Sequence, residues 1–175
     1  MKLISWNIRE LNGLRKGRLL KNMLMQEKPQ ILFLQETKCN SIMLERIVAK
    51  AWPRGLTAAM NAAGVSGGLA VIWDARSIVL NNIHANKNFI QANFHIIGTN
   101  IHGHLTNVYF PQEATHKIEI LNSLSEINTD RLHPLWITGG DFSMITRMEE
   151  KRGGKIREDK EGIHLKRFYL EQLAY

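Results

Sequence analysis

Trp136–Ile145 reads WITGGDFSMI, and this stretch decides the fold. An apolar run from Pro134 to Thr138 forms a buried strand. The glycine pair Gly139-Gly140 is expected to break it, and an aspartate, Asp141, stands just beyond its end. Working outward, the same arrangement recurs. Lys2–Asn7 (KLISWN) is a short strand that ends on Asn7, and Gln30–Gln35 (QILFLQ) is a continuous apolar run followed by Glu36. Thr99–Tyr109 ends on Tyr109, before Phe110-Pro111. In α/β folds the ends of neighbouring strands converge, so polar residues placed there can form one site.

Between these strands the pattern changes period. Arg15–Glu27 sets Leu19, Leu20, Met23 and Leu24 on one face with basic residues opposite, which predicts a helix stopped by Pro29. Asn40 and Ser41 are N-cap candidates for a second helix through about Lys50. Thr57–Asn61, Gly67–Trp73, Ile78–Ile83 and Phe89–Ile97 read as successive strands, with turns at Asn61–Gly64 and Asp74–Ser77. Glu113–Leu124 is a helix with Ile118, Leu121 and Leu124 on its apolar face, and the tail from Ile163 to Tyr175 is helical. This is α/β alternation around a largely antiparallel middle, so the sheet is expected to be mixed and flanked by helices.

The chain has 175 residues, 44% of them hydrophobic and 22% charged. That is enough for one globular domain, residues 1–175, with a real core and without intrinsic disorder. No apolar run is long enough to span a bilayer, so no membrane partner is expected. The N-terminus turns polar after a few residues, and the lone Cys39 excludes a disulfide framework; both fit an intracellular, including nuclear, location. Lys and Arg total 23 against 16 acidic residues, a net charge of +7. A polyanion such as nucleic acid suits that balance. The opening thirty residues alone carry seven basic and two acidic side chains.

A carboxylate at the end of a buried strand is costly unless it is exposed, paired or metal-bound. Glu36 and Asp141, together with Asn7 and Tyr109, therefore suggest a site for a hard cation. Mg²⁺ accepts one or two carboxylates with water and phosphate oxygens.

Five segments in order, SWNIRELN, LQETK, SGGLAVIW, NVYFPQ and WITGGDFSMI, resemble the endonuclease/exonuclease/phosphatase family with the DNase I-like fold. More narrowly they resemble the endonuclease domain of LINE-type (non-LTR) retrotransposons, to which EEKRGG at 149–154 is also similar. The resemblance runs from residue 2 to about residue 173. It implies a DNase I-like α/β sandwich and Mg²⁺- or Mn²⁺-dependent hydrolysis of phosphodiester bonds in DNA. It further implies that Asn7 arranges the metal and its coordinating groups, Glu36 binds the cation, Tyr109 contacts the scissile phosphate and Asp141 orients or deprotonates the attacking water.

The chain departs from the family pattern at three places. Ser143 stands where the family has the Asn that hydrogen-bonds the developing phosphorane charge, and losing one such donor costs around 10²–10³ in rate. Phe110 crowds a turn where the family is tight. The family's Ser-Asp-His signature is absent: Asp74, Asp130, Asp141 and Asp159 are the only aspartates, and none precedes His. Only the N-terminal part of the sandwich is therefore expected, with its second half missing and an apolar sheet face left for a C-terminal half or partner chain to cover. The implied activity is impaired hydrolysis. The alternatives are a catalytically inactive relic, a nucleic-acid-binding fragment, or a phosphomonoesterase of the same family.

Other polar and aromatic residues have simpler readings. His102 and His104 share a strand face and are expected on the solvent side, opposite Ile101, Gly103 and Leu105. His116 and His133 are expected at the surface. Trp6, Trp73 and Trp136 are expected in the core. The glycine pairs lack the Lys-Ser or Lys-Thr of a P-loop, and the basic loop Arg152–Arg157, with Gly153-Gly154, could meet a DNA backbone.

Overall fold

A computed structural model describes residues 1–62, 67–127, 135–143 and 160–173. The elements in chain order are β1 (Leu3–Asn7), α1 (Leu14–Glu27), β2 (Ile31–Gln35), α2 (Ser41–Ala51), β3 (Gly55–Met60) and β4 (Leu69–Asp74). They continue with β5 (Ile78–Ala85), β6 (Phe89–Ile96), β7 (His102–Tyr109), α3 (Ala114–Ile127), β8 (Trp136–Asp141) and α4 (Lys160–Leu173). The chain divides into two compact units, one of residues 1–109 and 135–141, the other of 110–134 and 142–175.

The first unit contains two four-stranded sheets, ordered β1-β2-β4-β3 and β5-β6-β7-β8. Both sheets are mixed, as expected, each with a single parallel pair: β1 with β2, and β7 with β8. The other pairings are antiparallel. Strand alternation divides the apolar residues between two cores. Leu32, Leu34, Ala70 and Ile72 meet Leu20 and Leu24 of α1 and Leu44 and Val48 of α2. Ile31, Phe33, Val71 and Trp73 face Ile90, Ala92, Phe94 and Leu105 of the second sheet. Both sheets come from this chain, and their inner faces meet in the second core.

Helix ends follow local chemistry. Lys28 caps α1 in a left-handed conformation and its N–H returns to the Leu24 carbonyl, just ahead of Pro29. Asn40, not Ser41, caps α2, its side chain accepting from the Met43 N–H at 2.8 Å. On α1 only Leu20 and Leu24 are fully inside; Leu19 is exposed. The turn after β4 is held by Asp74, which accepts from the Arg76 backbone and guanidinium. That hydrogen bonding from Arg76 keeps the Asp74 carboxyl below its ordinary range.

β8 corrects the expected break at Gly139-Gly140. The strand runs through both glycines to Asp141, pairing Gly139 with Asn107, Gly140 with Val108 and Asp141 with Tyr109. A Cβ on Gly140 (φ 139°) would lie 2.1 Å from the Val108 carbonyl oxygen. The absent side chain thus allows pairing to continue to the aspartate. In the second unit α3 packs against α4, with Leu121 and Leu124 buried on one helix and Leu165 and Phe168 on the other. Ile118 is only half-buried, Ile120 and Lys117 taking the inner positions. No helix among the described residues is long and apolar enough to cross a membrane.

Candidate active site

Four strand ends bring four polar side chains together in the first unit. Register places Asn7 beside Gln35, the residue before Glu36, and Tyr109 beside Asp141. The Asn7 amide nitrogen donates to Glu36 Oε1 at 2.9 Å and to Asp141 Oδ2 at 2.7 Å. Its oxygen is turned away and accepts from the Arg9 N–H at 3.2 Å. One neutral amide therefore holds two carboxylates from different sheets at a common point. Tyr109 hydrogen-bonds Glu36, and burial first, then the charges of Glu36 and Asp141, push its phenol above the ordinary tyrosine value. It thus stays protonated and able to donate at neutral pH.

The backbone around Glu36 explains how its side chain reaches this point. Glu36 is left-handed at φ 52°, as are Arg9, Glu10 and Lys38 nearby. Such a conformation costs a non-glycine residue on the order of 1–3 kcal/mol and persists only when its surroundings over-determine it. Here the Ile8, Glu10 and Leu11 N–H groups donate to the Gln35, Glu36 and Thr37 carbonyls, while Thr37 and Lys38 donate to Gly68 and Gly67. Gly68 must lack a side chain, because a Cβ there would fall 2.3 Å from Thr37 Oγ1. The sequence carries no signal for these left-handed residues, since only glycine advertises that backbone region.

The donor set suits a hard cation. Two carboxylates drawn to one amide repel each other, and a divalent ion between them removes that repulsion. Glu36 and Asp141 are the carboxylates that would hold it, with Asn7 arranging them through its nitrogen. No group of three or more His, Cys, Asp or Glu side chains suited to a metal occurs among the described residues. Water or phosphate oxygens would fill the remaining positions.

Ser143, the remaining candidate, belongs to the second unit, where its backbone is left-handed at φ 48° and its carbonyl accepts from buried Lys117 Nζ at 2.8 Å. Phe110 is buried there, edge-on to Phe142 with ring centroids 5.3 Å apart. Among the histidines, His102 is exposed as expected, but His104 is buried, its ring 5.3 Å from that of Trp136. Strand β7 turns Leu105 into the inter-sheet core and His104 to the opposite face, which is not open to solvent. His116 is a surface residue paired with Glu113, and Trp73 is a core residue; Trp6 and Trp136 are half-buried. His133, EEKRGG and the basic loop at 152–157 lie outside the described residues.

Two facing mixed sheets with helices on the outer side of the first, and polar strand ends meeting at one end, define a DNase I-like α/β sandwich. Solved structures share this fold. An AP endonuclease from Archaeoglobus fulgidus is 17% identical, with a TM-score of 0.74 over 99% of this chain and 70% of its own. TDP2 of D. rerio, complexed with a single-strand DNA product, is 17% identical at 0.65, over 83% and 61%. An endonuclease/exonuclease/phosphatase family protein from Bacteroides thetaiotaomicron is 15% identical at 0.66, over 86% and 66%. The chain thus spans about two thirds of the length of these proteins. No family profile and no curated protein matches the sequence.

Proposed function

We propose that this chain carries the metal- and phosphate-handling part of a Mg²⁺-dependent phosphodiesterase site acting on DNA. The observation that carries the reading is the double hydrogen bond of Asn7 to Glu36 and Asp141, with the Tyr109 phenol on the same carboxylate. A bound Mg²⁺ would neutralise charge on the non-bridging oxygens and acidify a water. Asp141 would accept the proton of the attacking water. Tyr109, kept neutral, can donate to a phosphate oxygen. Asn7 holds the two carboxylates together and aimed. Ser143 stands where the motif has an amide donor, and the chain contains no Asp-His pair in sequence, so turnover is expected to be slow.

The test is nicking of supercoiled plasmid with Mg²⁺, alongside Mn²⁺ binding followed by electron paramagnetic resonance. The wild-type chain is expected to bind Mn²⁺ and nick slowly, and Glu36→Ala to lose both. No Mn²⁺ binding and no nicking at high protein concentration would contradict the reading.

DNA as the substrate is supported by the resemblance of the motifs to those of LINE-type endonucleases and by exposed positive charge. Arg15, Arg18 and Lys21 project from the outer face of α1, and Arg9 is exposed two residues from Asn7. None of the four is in an ion pair among the described residues. Replacing Arg15, Arg18 and Lys21 with Gln is expected to flatten the salt dependence of DNA affinity by about one for each cation that meets a phosphate. An unchanged slope in a binding titration across salt concentrations would remove α1 from the interface.

A further inference from the structure

Directly beneath the site is a layer of polar residues: Ser5, Gln35 and Asn107. On β7, Asn107 lies two residues before Tyr109 and so on the same face. Gln35 immediately precedes Glu36 at the end of β2, and Ser5 lies two residues before Asn7 on β1. Asn107 is fully buried and Gln35 is 1% exposed. Below them the space between the sheets is apolar, filled by residues such as Phe33 and Leu105.

Their hydrogen bonds form a connected set. Gln35 Nε2 donates to Asn107 Oδ1 at 2.6 Å and to Ser5 Oγ at 3.1 Å. Asn107 Nδ2 donates to the backbone carbonyls of Leu34 at 3.1 Å and Ala70 at 2.9 Å. The set therefore ties β1, β2 and β4 of one sheet to β7 of the other. It does so one layer below Asn7, Glu36 and Tyr109.

Two amides are an unfavourable way to fill a core if packing is all that is required. Burying each is unfavourable until its hydrogen bonds are counted. A pair of apolar side chains fills the same space without that cost. What apolar side chains do not do is fix direction: they permit sliding of one sheet over the other, whereas a directional bond sets one separation and one register. The site needs that constraint. Its members come from both sheets, and Glu36 must be kept in a left-handed backbone conformation.

We infer that Gln35 and Asn107 are positioning residues, holding Glu36 on one sheet and Tyr109 on the other at the separation their shared site requires. This rests on the reading of Glu36 and Tyr109 as metal- and phosphate-handling groups. Gln35 and Asn107 touch neither substrate nor metal, and act through the residues beside them in sequence.

The experiment compares wild type with Gln35→Met/Asn107→Leu, which removes both hydrogen-bonding partners together and leaves no orphaned amide. Gln35→Met alone, which takes the Gln35 donor from Asn107 Oδ1 but keeps Asn107 on its two backbone carbonyls, is the second variant, should the double variant fail to fold. Four quantities are measured: melting temperature, Mn²⁺ affinity by electron paramagnetic resonance, and kcat and KM for Mg²⁺-dependent nicking. Positioning predicts a melting temperature near that of wild type, Mn²⁺ affinity weaker by about 10–100-fold, and a lower kcat at unchanged KM for DNA. Unchanged Mn²⁺ affinity and kcat in the folded variants, with or without a lower melting temperature, would overturn the inference and leave the site reading standing. Failure of the wild-type chain itself to bind Mn²⁺ would overturn the site reading instead.

Discussion

Asp141→Asn is expected to slow Mg²⁺-dependent nicking by about 10²–10⁴-fold, the range associated with loss of a positioned proton acceptor. The substitution is chosen for what it preserves. Asp141 Oδ2 accepts a 2.7 Å hydrogen bond from Asn7, and the amide oxygen of an asparagine can accept the same bond. The strand register with Tyr109 depends only on backbone. What disappears is the negative charge, which would take a proton from water and share the cation with Glu36. Glu36→Ala should lose Mn²⁺ affinity along with rate, whereas Asp141→Asn, which keeps an oxygen at the same place, should weaken Mn²⁺ affinity only in part and keep DNA binding. A rate for Asp141→Asn within about threefold of wild type would remove Asp141 from the proton-accepting role, since even the weakest such acceptors contribute more.

The second large effect concerns two neighbouring glycines that look equivalent in sequence. Gly140→Ala places a Cβ 2.1 Å from the Val108 carbonyl oxygen, on a residue whose φ is 139°. Neither the β7 backbone nor the alanine can yield without breaking the β7–β8 pairing. The expected loss is on the order of 4 kcal/mol, at the upper end for a single substitution, or roughly 8–16 °C in melting temperature for a chain of this size. Gly139→Ala is the control. Its Cβ would find the Phe33 ring at 3.5 Å, an ordinary contact, and should change stability by less than about 1 kcal/mol. Calorimetry on the two variants checks the contrast; equal losses would mean that β8 does not pair through Gly140 as described.

The same glycine pair shows where sequence reasoning succeeds and where it stops. A glycine pair after an apolar run commonly marks the end of a strand, because neither residue brings a side chain to pack. Here the reason for glycine is crowding by the neighbouring strand, a fact about Val108 that the local sequence does not contain. The four site residues were legible because each stands at a change from apolar to polar, which is local information. That Glu36 needs a left-handed backbone was not, because the restraint comes from carbonyl and N–H partners on two other loops. Splitting the strands into two sheets was also hidden: alternation within β4 and β6 says that each has two faces, but not that the inner faces meet each other. His104 was misplaced for a related reason. Strand parity put it opposite Leu105 correctly, and only the assumption that the opposite face is wet was mistaken.

Asn7 and Asp141 sit on β1 and β8, which lie at the margins of their sheets in the described strand order. A marginal strand is held by one neighbour and opens more readily than a central one, so backbone amide exchange should be faster there than along β2 or β7. The side-chain bond between Asn7 and Asp141 acts as a clasp joining the two margins. Anything that binds across Glu36 and Asp141 closes that clasp more tightly, and by mass action suppresses the opening of both strands. Occupancy of the site and cohesion of these two edges of the sandwich are in this way one equilibrium.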